Sequence, residues 1–221
     1  MKRTVSAELL DDDLGTPDEI ASSLRDLRRI NTWFGGTQLT ARLLRRVAGR
    51  TGLSRLSVLE VGSGLGDVPL AAQRSLAKSG MQLDVTLVDR RASHLPASSV
   101  RRVAANALHL PFRNASFDVV SCTLFAHHFE PQALILFVVE ALRVARHAVV
   151  MNDVVRNRLH LTLVYLGFPL YRSRLTRNDA PASVRQAYTI EEMRLLLAKV
   201  PSRRVVISRR YLFRMGVLIW K

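Results

Sequence analysis

The stretch Ser57-Val58-Leu59-Glu60-Val61-Gly62-Ser63-Gly64-Leu65-Gly66 decides how this chain folds. Its first part, up to Val61, predicts a short buried strand, and apolar residues then recur at helical spacing from Val68 to Ala77. Glycines between a strand and a helix allow positive φ angles and let a ligand approach the main chain closely. The free N–H groups at the start of the helix favour an anion. The stretch therefore predicts a ligand-binding turn in an α/β protein.

Strands and helices continue to alternate after this turn. The further predicted strands are Gln82 to Val88, which ends at Asp89, a short strand near Val103, Phe117 to Thr123, and His147 to Met151. A helix is predicted from Ala133 to Arg146. Because such alternation indicates parallel strands joined by right-handed crossovers, we expect a doubly wound, Rossmann-like α/β sheet that is mostly parallel.

The C-terminal part of the chain departs from this alternation. Thr189-Ile190-Glu191-Glu192 is a capping box that opens a helix. Strands are then predicted at Val205 to Ser208 and at Tyr211 to Trp220, joined by a tight Arg209-Arg210 link. Two strands so closely connected predict an antiparallel hairpin at the edge of the sheet.

The N-terminal part predicts two helices. Residues 1 to 17 are expected to fray, and Pro17 with the two acids after it opens the first helix. Gly35-Gly36 ends this helix. Thr37 is expected to cap a second helix that runs to about Ala48.

The spacing of the glycines separates the turn from a dinucleotide-binding loop. That pattern would place its third glycine where this chain has Asp67, whereas the third glycine here is Gly66. An acid, Glu60, also stands two residues before Gly62. This arrangement resembles the first motif of class I S-adenosylmethionine (SAM)-dependent methyltransferases, and it disfavours an NAD-dependent oxidoreductase.

Three later segments extend the resemblance. Leu87-Val88-Asp89 resembles the second strand of that family, whose terminal acid binds the ribose hydroxyls. Asn106 to Phe112 resembles the adenine-contacting segment, with Asn106 in place of the usual aspartate, and Phe117 to Val120 resembles the fourth strand. The resemblance implies a methyltransferase with SAM as its cofactor. The residues that we expect at the cofactor are Glu60, Gly62, Ser63, Gly64, Gly66, Asp89, Arg90, Asn106, Ala107 and Thr123.

The segment after the fourth predicted strand carries the candidate catalytic residues. In an open α/β sheet, ligands lie beyond the carboxyl ends of the strands, so His127 and His128 should face the acceptor. A base that removes a proton favours methyl transfer to oxygen or nitrogen, and histidine suits that task near neutral pH. The alternative is that one histidine packs beneath the next helix and the other is exposed. Asn152-Asp153 is the competing polar pair, and no metal site is predicted because two ligands alone hold a metal poorly.

The segment from Arg156 to Ala187 lies where the family varies its acceptor pocket. Arg156 to Leu170 predicts an apolar helix that is buried or lines a hydrophobic pocket, and arginines follow it. An apolar wall beside arginines suits a small, lipid-like or aromatic acceptor, or a peripheral contact with an anionic membrane. The alternative is plain core packing with solvated arginines.

Two subgroups of the family are similar to parts of this chain. The general resemblance is to methyltransferases of ubiquinone and menaquinone biosynthesis. Leu24 to Gly36 and Ser173 to Tyr188 resemble small bacterial methyltransferases associated with type III polyketide synthases. These resemblances imply a phenol, resorcinol or quinone acceptor and a role in secondary metabolism. In many relatives of the family a segment such as Trp33 to Gly36 folds over the cofactor, which implies a helical lid at residues 1–50 before a single methyltransferase domain at residues 51–221. The alternative is that Trp33 to Gly36 is a helix–helix corner with aromatic packing.

The amino-acid composition limits the classes of protein to which this chain can belong. The hydrophobic content of 48% is that of a globular protein. The only cysteine, Cys122, excludes an intramolecular disulfide and a cysteine-based zinc site. No secretory segment follows Met1 and no apolar stretch is long enough to cross a bilayer, so we expect a cytoplasmic protein.

The net charge of +15 leaves two other functions open. A basic surface attracts nucleic acid, anionic lipid or acidic substrates, although arginines spread along the chain can also simply be solvated. A nucleic-acid methyltransferase is less favoured, because Ser121 to Leu124 stands where amino-group modifiers of nucleic acid carry Asn/Asp-Pro-Pro-aromatic. A SAM-binding regulatory protein without catalysis is the second alternative. The sequence carries no signal for an oligomeric state.

Overall fold

A central sheet organises the chain in the computed structural model, which describes residues 1–11, 14–91, 95 and 100–221. The strands of this sheet are β1 (Arg55–Val61), β2 (Gln82–Asp89), β3 (Arg101–Ala104), β4 (Phe117–Thr123), β5 (Ala145–Val154), β6 (Arg204–Arg210) and β7 (Arg214–Trp220). They lie side by side in the order β3-β2-β1-β4-β5-β7-β6. The pairs from β3 to β5 are parallel, and β7 is antiparallel to both β5 and β6. The predicted Rossmann-like sheet with its C-terminal hairpin is confirmed.

Helices cover both faces of the sheet. They are α1 (Pro17–Trp33), α2 (Gly36–Thr51), α3 (Asp67–Ala77), α4 (Pro131–Val144), α5 (Arg158–Leu166), α6 (Arg174–Gln186) and α7 (Ile190–Leu197). One apolar cluster joins α4 and α7 to the sheet, and Phe137 is fully buried within it. A second cluster joins α2 and α3 to the sheet, with Leu44 fully buried. The two clusters fix the sheet between the helices, so the carboxyl ends of the parallel strands remain open at one edge.

Several predicted boundaries are wrong for identifiable reasons. Thr37 does not cap α2, because Gly35, with φ at 74°, takes the capping position and helix begins at Gly36. The C-terminal hairpin is not joined by a tight Arg209-Arg210 link, because β6 runs to Arg210 and a turn follows at Tyr211–Phe213. Both Leu212 and Phe213 have positive φ there, a conformation that propensities do not predict for large side chains.

The segment predicted as one buried helix also differs. Helix α5 ends at Leu166, a 3-10 turn covers Phe168–Leu170, and no residue of either element is buried. Helix α6 was not predicted, since Asn178, Asp179 and Pro181 lie within it. Tertiary contacts hold it instead: the buried Asp26 of α1 accepts hydrogen bonds from the backbone N–H groups of Arg172 and Ser173, just ahead of α6.

The N-terminal residues are docked against the domain, whereas the sequence predicted that they fray. The guanidinium of Arg3 donates to the carbonyl oxygens of His127, Phe129 and Gln186. The backbone N–H groups of Leu9 and Leu10 donate to the carboxylate of Asp179, at 2.8 and 3.0 Å. These contacts join positions more than a hundred residues apart, which is why local sequence does not reveal them.

The apolar content of the chain lies in these clusters and in partly exposed helix faces. Among the described residues, no helix combines the length and the hydropathy that a membrane crossing requires. The single cysteine, Cys122, is buried in β4 and fills space in the core, as predicted.

Candidate active site

A cleft of about 900 Å³ opens at the carboxyl ends of β1, β2 and β4. The glycine turn after β1 forms its floor, and the loop after β4 forms one wall. Residues of the N-terminal segment, α1 and α5 close the opposite side. The cleft therefore lies where an open α/β sheet reverses its strand order, the usual place for a ligand in such folds.

Two glycines of the turn have distinct reasons to be glycine. Gly62 has φ at 65°, and a Cβ atom there would lie 2.2 Å from the ring of Phe125. Gly64 has φ at 48°, and a Cβ atom there would meet no described atom within 4 Å. The first glycine is thus required by packing. The second leaves open space above the main chain, which a ligand can fill.

Asp89 joins the end of β2 to this turn. Its Oδ2 accepts a hydrogen bond from the backbone N–H of Gly64 at 2.9 Å, and its Oδ1 accepts one from the N–H of Arg91 at 3.2 Å. The N–H of Ser63 donates to the carbonyl of Val88 at 3.0 Å. The two strand ends therefore meet as predicted. A carboxylate in this position can also accept from the paired hydroxyls of a ribose.

Glu60 is buried at the end of β1, with 1% of its surface exposed, and it lines the cleft. Burial raises the pKa of Glu60 to about 7, and the nearby hydroxyls of Ser121 and Thr123 oppose that rise. Its Oε2 has no hydrogen-bond partner among the described residues. A buried carboxylate oxygen without a donor fits the ammonium group of SAM, which would supply the missing hydrogen bonds.

The other predicted cofactor residues also surround the cleft, with one exception. Ser63, Arg90, Asn106, Ala107 and Thr123 line it. Gly66 does not: it precedes α3 and packs against Leu87, from which a Cβ atom would lie 2.6 Å away. The Oδ1 of Asn106 accepts from the N–H of Leu108 at 2.9 Å, which leaves one lone pair of that carbonyl for a ligand.

His127 is a buried polar residue of the wall that the loop after β4 forms. It lies on a 3-10 turn, Ala126–His128, with 2% of its surface exposed. Its Nδ1 is 2.6 Å from Oδ1 of Asp153, and its backbone N–H donates to Oδ2 of the same carboxylate at 3.1 Å. This double contact fixes the orientation of the ring and leaves Nε2 directed away from Asp153. An imidazole oriented by a carboxylate is a common arrangement for a general base.

Nε2 of His127 faces a carboxylate that the sequence analysis missed. Oε1 of Glu8 lies 3.6 Å from this nitrogen, and Glu8 is held by Oγ of Ser183 and Nε2 of Gln186. Burial lowers the pKa of His127, but the charges of Asp153 and Glu8 and the hydrogen bond to Asp153 outweigh burial and raise it to about 10. Burial likewise raises the pKa of Asp153, but the charge of His127 outweighs it, so that this pKa is lowered. The three side chains form a buried chain of alternating charge.

His128 also lines the cleft, beside His127. Its Nδ1 is 2.9 Å from Oδ2 of Asp11, and its ring centroid is 4.3 Å from that of His127. Glu8, His127 and His128 each offer a potential metal-ligand atom, and these atoms lie within 4.8 Å of one another. The sequence predicted no metal ligands here, because Glu8 lies more than a hundred residues before the two histidines.

Asn152 and Asp153 do not act as one polar pair. Asp153 orients His127, whereas Asn152 is buried and donates to the carbonyl of Gly36 and to Oγ1 of Thr40. The carbonyl oxygen of Asn152 accepts from the buried guanidinium of Arg214 at 3.2 Å. Asn152 therefore fastens α2 to the sheet and is not free to bind an acceptor, contrary to that interpretation of the sequence.

Arg214 is a further residue that the sequence analysis did not single out. It lines the cleft, and it donates to the carbonyl of Phe34 at 3.0 Å and to Oδ1 of Asn31 at 2.7 Å. Burial lowers the pKa of Arg214 to about 10, opposed by the charge of Asp153. Arg214 ties the corner between α1 and α2 to the rim of the cleft.

The side of the cleft away from the glycine turn is largely apolar. Leu163 and Val164 of α5 line it, together with His160, whose ring stacks on Phe213 at a centroid distance of 5.1 Å. Burial lowers the pKa of His160. An uncharged ring among apolar side chains makes this part of the cleft suitable for an apolar or aromatic ligand.

Comparisons with known proteins agree with this geometry. Residues 59–150 match the family model described as a methyltransferase domain. A search of curated proteins finds no significant match to the chain. The plantazolicin methyltransferase BpumL, solved with a monoazolic desmethylPZN analog and SAH, superposes with a TM-score of 0.70 at 13% identity, over 97% of this chain and 94% of that one.

Two other solved structures share the fold at lower similarity. The magnesium protoporphyrin IX methyltransferase from Synechocystis PCC 6803, with bound SAH, gives a TM-score of 0.53 at 16% identity, over 85% of this chain and 83% of that one. A SAM-dependent methyltransferase from Aquifex aeolicus gives 0.51 at 16% identity, over 75% and 81%. Residues 59–150 thus match a methyltransferase domain, and the chain shares the fold of these solved SAM-dependent enzymes.

Proposed function

We infer that the chain is a SAM-dependent methyltransferase, and we propose that it transfers the methyl group to a hydroxyl oxygen of a small, largely apolar acceptor. The observation that supports an oxygen acceptor is the buried His127–Asp153 pair, whose histidine lines the cleft in the loop after β4. The acceptor class that suits the apolar side of the cleft is a phenol, a resorcinol or a quinol with hydrophobic substituents.

The cofactor half of the proposal rests on three groups. Gly64 leaves room for a ligand against the main chain, Asp89 presents a carboxylate for ribose hydroxyls, and Glu60 presents a buried oxygen without a donor for an ammonium group. SAM, when bound, supplies an electrophilic methyl group on a sulfonium. The residues of this chain would bind and orient it, and the loop after β4 would keep bulk water away.

The acceptor half rests on the position of His127. Glu8 now occupies the side of the ring at Nε2, where an acceptor hydroxyl would have to lie to give up its proton. His127 is protonated beside Asp153 and Glu8, so one proton would leave with the displaced Glu8 carboxyl, and an acceptor hydroxyl that replaces Glu8 would then share its own proton with His127. Because Asp153 favours the charged ring, that proton resides on His127, and the acceptor oxygen becomes the better nucleophile. Glu8 contributes to the raised pKa of His127, so once Glu8 is displaced the charge of Asp153 is what favours the proton on the ring.

The N-terminal part acts as a lid in this proposal. The lid comprises residues 1–50, and the catalytic domain comprises residues 51–221. Val5, Glu8 and Leu10 of the docked segment and Phe34 of the α1–α2 corner line the cleft. Closure by such a lid would exclude water from the transferred methyl group. Cofactor or acceptor entry would then require displacement of the docked segment.

The test is methyl transfer from isotope-labelled SAM into a panel of alkylphenols, alkylresorcinols and quinols. We expect O-methylated product with the wild-type enzyme and a loss of about 10²-fold or more in kcat for His127→Gln. His147→Gln is the matched control, because His147 lies outside the cleft. Labelled product with His127→Gln at the wild-type rate would exclude the proposed base. Products methylated only at carbon or nitrogen would exclude the oxygen acceptor.

A further inference from the structure

An exposed apolar face runs along α5 and the 3-10 turn after it. Leu159, Leu163, Leu166 and Leu170 follow one another at spacings of three and four residues, and 58%, 43%, 70% and 64% of their surfaces are exposed. Within α5 this spacing places Leu159, Leu163 and Leu166 on the same side of the helix, and Leu170 follows in the 3-10 turn. Single exposed leucines are ordinary on a protein surface, but a contiguous row of them marks an interaction site.

The charge around this face is of one sign. Residues 154–178 contain five arginines and neither aspartate nor glutamate. Of these arginines, Arg158, Arg172, Arg174 and Arg177 are exposed, and Arg174 pairs with Glu19 of α1. Arg158 begins α5, and Arg172 and Arg177 flank and enter α6. The whole chain carries a net charge of +15. An apolar row edged by arginines is the pattern of helices that lie in the interface of an anionic bilayer.

The same helix forms the rim of the active-site cleft. His160 and Val164 line the cleft, and Leu163 both lines it and is part of the exposed row. A surface that covered the row would therefore lie against the mouth of the cleft. An apolar acceptor could pass from such a surface to the apolar side of the cleft without crossing water.

We propose that the row Leu159, Leu163, Leu166 and Leu170, with its flanking arginines, binds the surface of an anionic membrane. The apolar side chains enter the interface, and the guanidinium groups pair with lipid phosphates. The delivery of the acceptor from the membrane rests on the proposed function. The binding of the membrane does not, since it requires only the row and its charges.

The experiment measures binding of the full-length protein to vesicles. Phosphatidylcholine vesicles are compared with vesicles that also contain phosphatidylglycerol, at low and high salt. We expect binding to the anionic vesicles that weakens as salt rises. The variant Leu166→Glu/Leu170→Glu should bind at least about tenfold more weakly, because two leucines no longer enter the interface. Arg158→Gln/Arg172→Gln should also weaken binding and reduce its dependence on salt.

The matched control is Leu136→Glu/Leu195→Glu. These two leucines are each 60% exposed, but they lie on α4 and α7, which do not line the cleft. The control should bind vesicles as the wild type does. Each variant must also retain the wild-type rise in melting temperature with S-adenosylhomocysteine (SAH), which shows that it is folded. Loss of that rise in the wild type itself would count against the proposed function and not against the membrane site.

Three outcomes would overturn the proposal. The first is equal binding of the wild type to neutral and anionic vesicles, or none to either. The second is equal loss of binding in the control variant. The third is a wild-type dimer in solution that Leu166→Glu/Leu170→Glu converts to a monomer, because the row would then be an interface between two copies of the chain.

Discussion

At the scale of single residues, the main result is the contact between His127 and Asp153. Asp153 holds the ring through both Nδ1 and the backbone N–H of the same histidine, so the ring has one orientation. An isolated buried imidazole would lose its proton, and the charges of Asp153 and Glu8 reverse that tendency. Once Glu8 is displaced together with the proton of the ring, the pair is suited to take a proton from an acceptor.

Replacement of Asp153 by asparagine tests the catalytic part of this interpretation. The amide keeps the size of the side chain but removes the charge that favours the protonated ring. We expect kcat to fall about 10²-fold or more, and the KM for SAM to change little, because Asp153 does not line the cleft. Asp84→Asn is the control, since Asp84 pairs with Arg55 outside the cleft. An unchanged kcat in Asp153→Asn would show that the pair serves the fold alone.

The raised pKa of His127 also predicts how stability depends on pH. Its pKa is about 10 in the folded chain, against an ordinary value of 6.5. Between pH 6.5 and pH 10 the folded state binds more protons than the unfolded state. The charged ring of His127 therefore contributes fully to the free energy of unfolding below pH 6.5, and this contribution is lost as the pH rises to about 10. Urea unfolding of the wild type and His127→Gln should give free energies whose difference shrinks over this range. A difference that grows with pH would contradict the charged triad.

At the scale of elements, the N-terminal segment is attached by polar contacts and not by a large apolar surface. Asp179 of α6 accepts hydrogen bonds from the backbone of Leu9 and Leu10, and Arg3 donates to three carbonyl oxygens. A segment held by a few charge-assisted hydrogen bonds can open without unfolding the domain. This suits the proposed lid, which must move for ligands to exchange.

Asp179→Ala should loosen that segment. It removes two charge-assisted hydrogen bonds, each worth about 1.5–3 kcal/mol, so we expect amide exchange in residues 1–11 to rise at least about tenfold. Hydrogen–deuterium exchange followed by mass spectrometry measures this directly. Glu191→Ala, which removes an exposed ion pair with Arg194, is the control and should leave these residues unchanged. If the segment exchanges no faster in Asp179→Ala, other contacts hold it closed.

At the scale of the whole molecule, the order of strands creates the cleft. The chain crosses from β1 outward to β2 and β3, and then returns to β4 on the other side of β1. The loops after β1 and β4 therefore diverge, and the gap between them is the cleft. A ligand that spans this gap contacts both halves of the sheet, so its binding should stabilise the entire domain.

Thermal unfolding with SAH tests this link between cleft and fold. At a concentration of 100 times its dissociation constant, SAH should raise the free energy of unfolding by about 2.7 kcal/mol, and NAD should have no effect. Asp89→Ala should lose most of this gain relative to its own melting temperature without ligand, which should itself fall because Asp89 accepts from the N–H groups of Gly64 and Arg91. A full shift with SAH in Asp89→Ala would show that this carboxylate does not hold the ribose.

The cofactor half of the site could be predicted because its signals are local. The strand, the glycine turn and the helix after it are contiguous in sequence, and Asp89 ends a strand of readable pattern. The arrangement of the residues at the proposed acceptor site could not be predicted in the same detail. Glu8, His127 and Asp153 come from three distant segments, and the chain positions alone do not show that their side chains meet.

Hydrophobic pattern by itself determined the α/β class, the mostly parallel sheet, the C-terminal hairpin and the place of the glycine turn, because these depend on periodicity and on backbone conformations that few residues adopt. Only the tertiary structure decided that residues 1–11 dock over the cleft, that Asp153 and not Asn152 faces His127, and that α5 exposes its leucines. The hydrophobic pattern of a sequence shows how apolar a helix or strand is. Which face of that element is buried depends on the surfaces that pack against it in the folded chain.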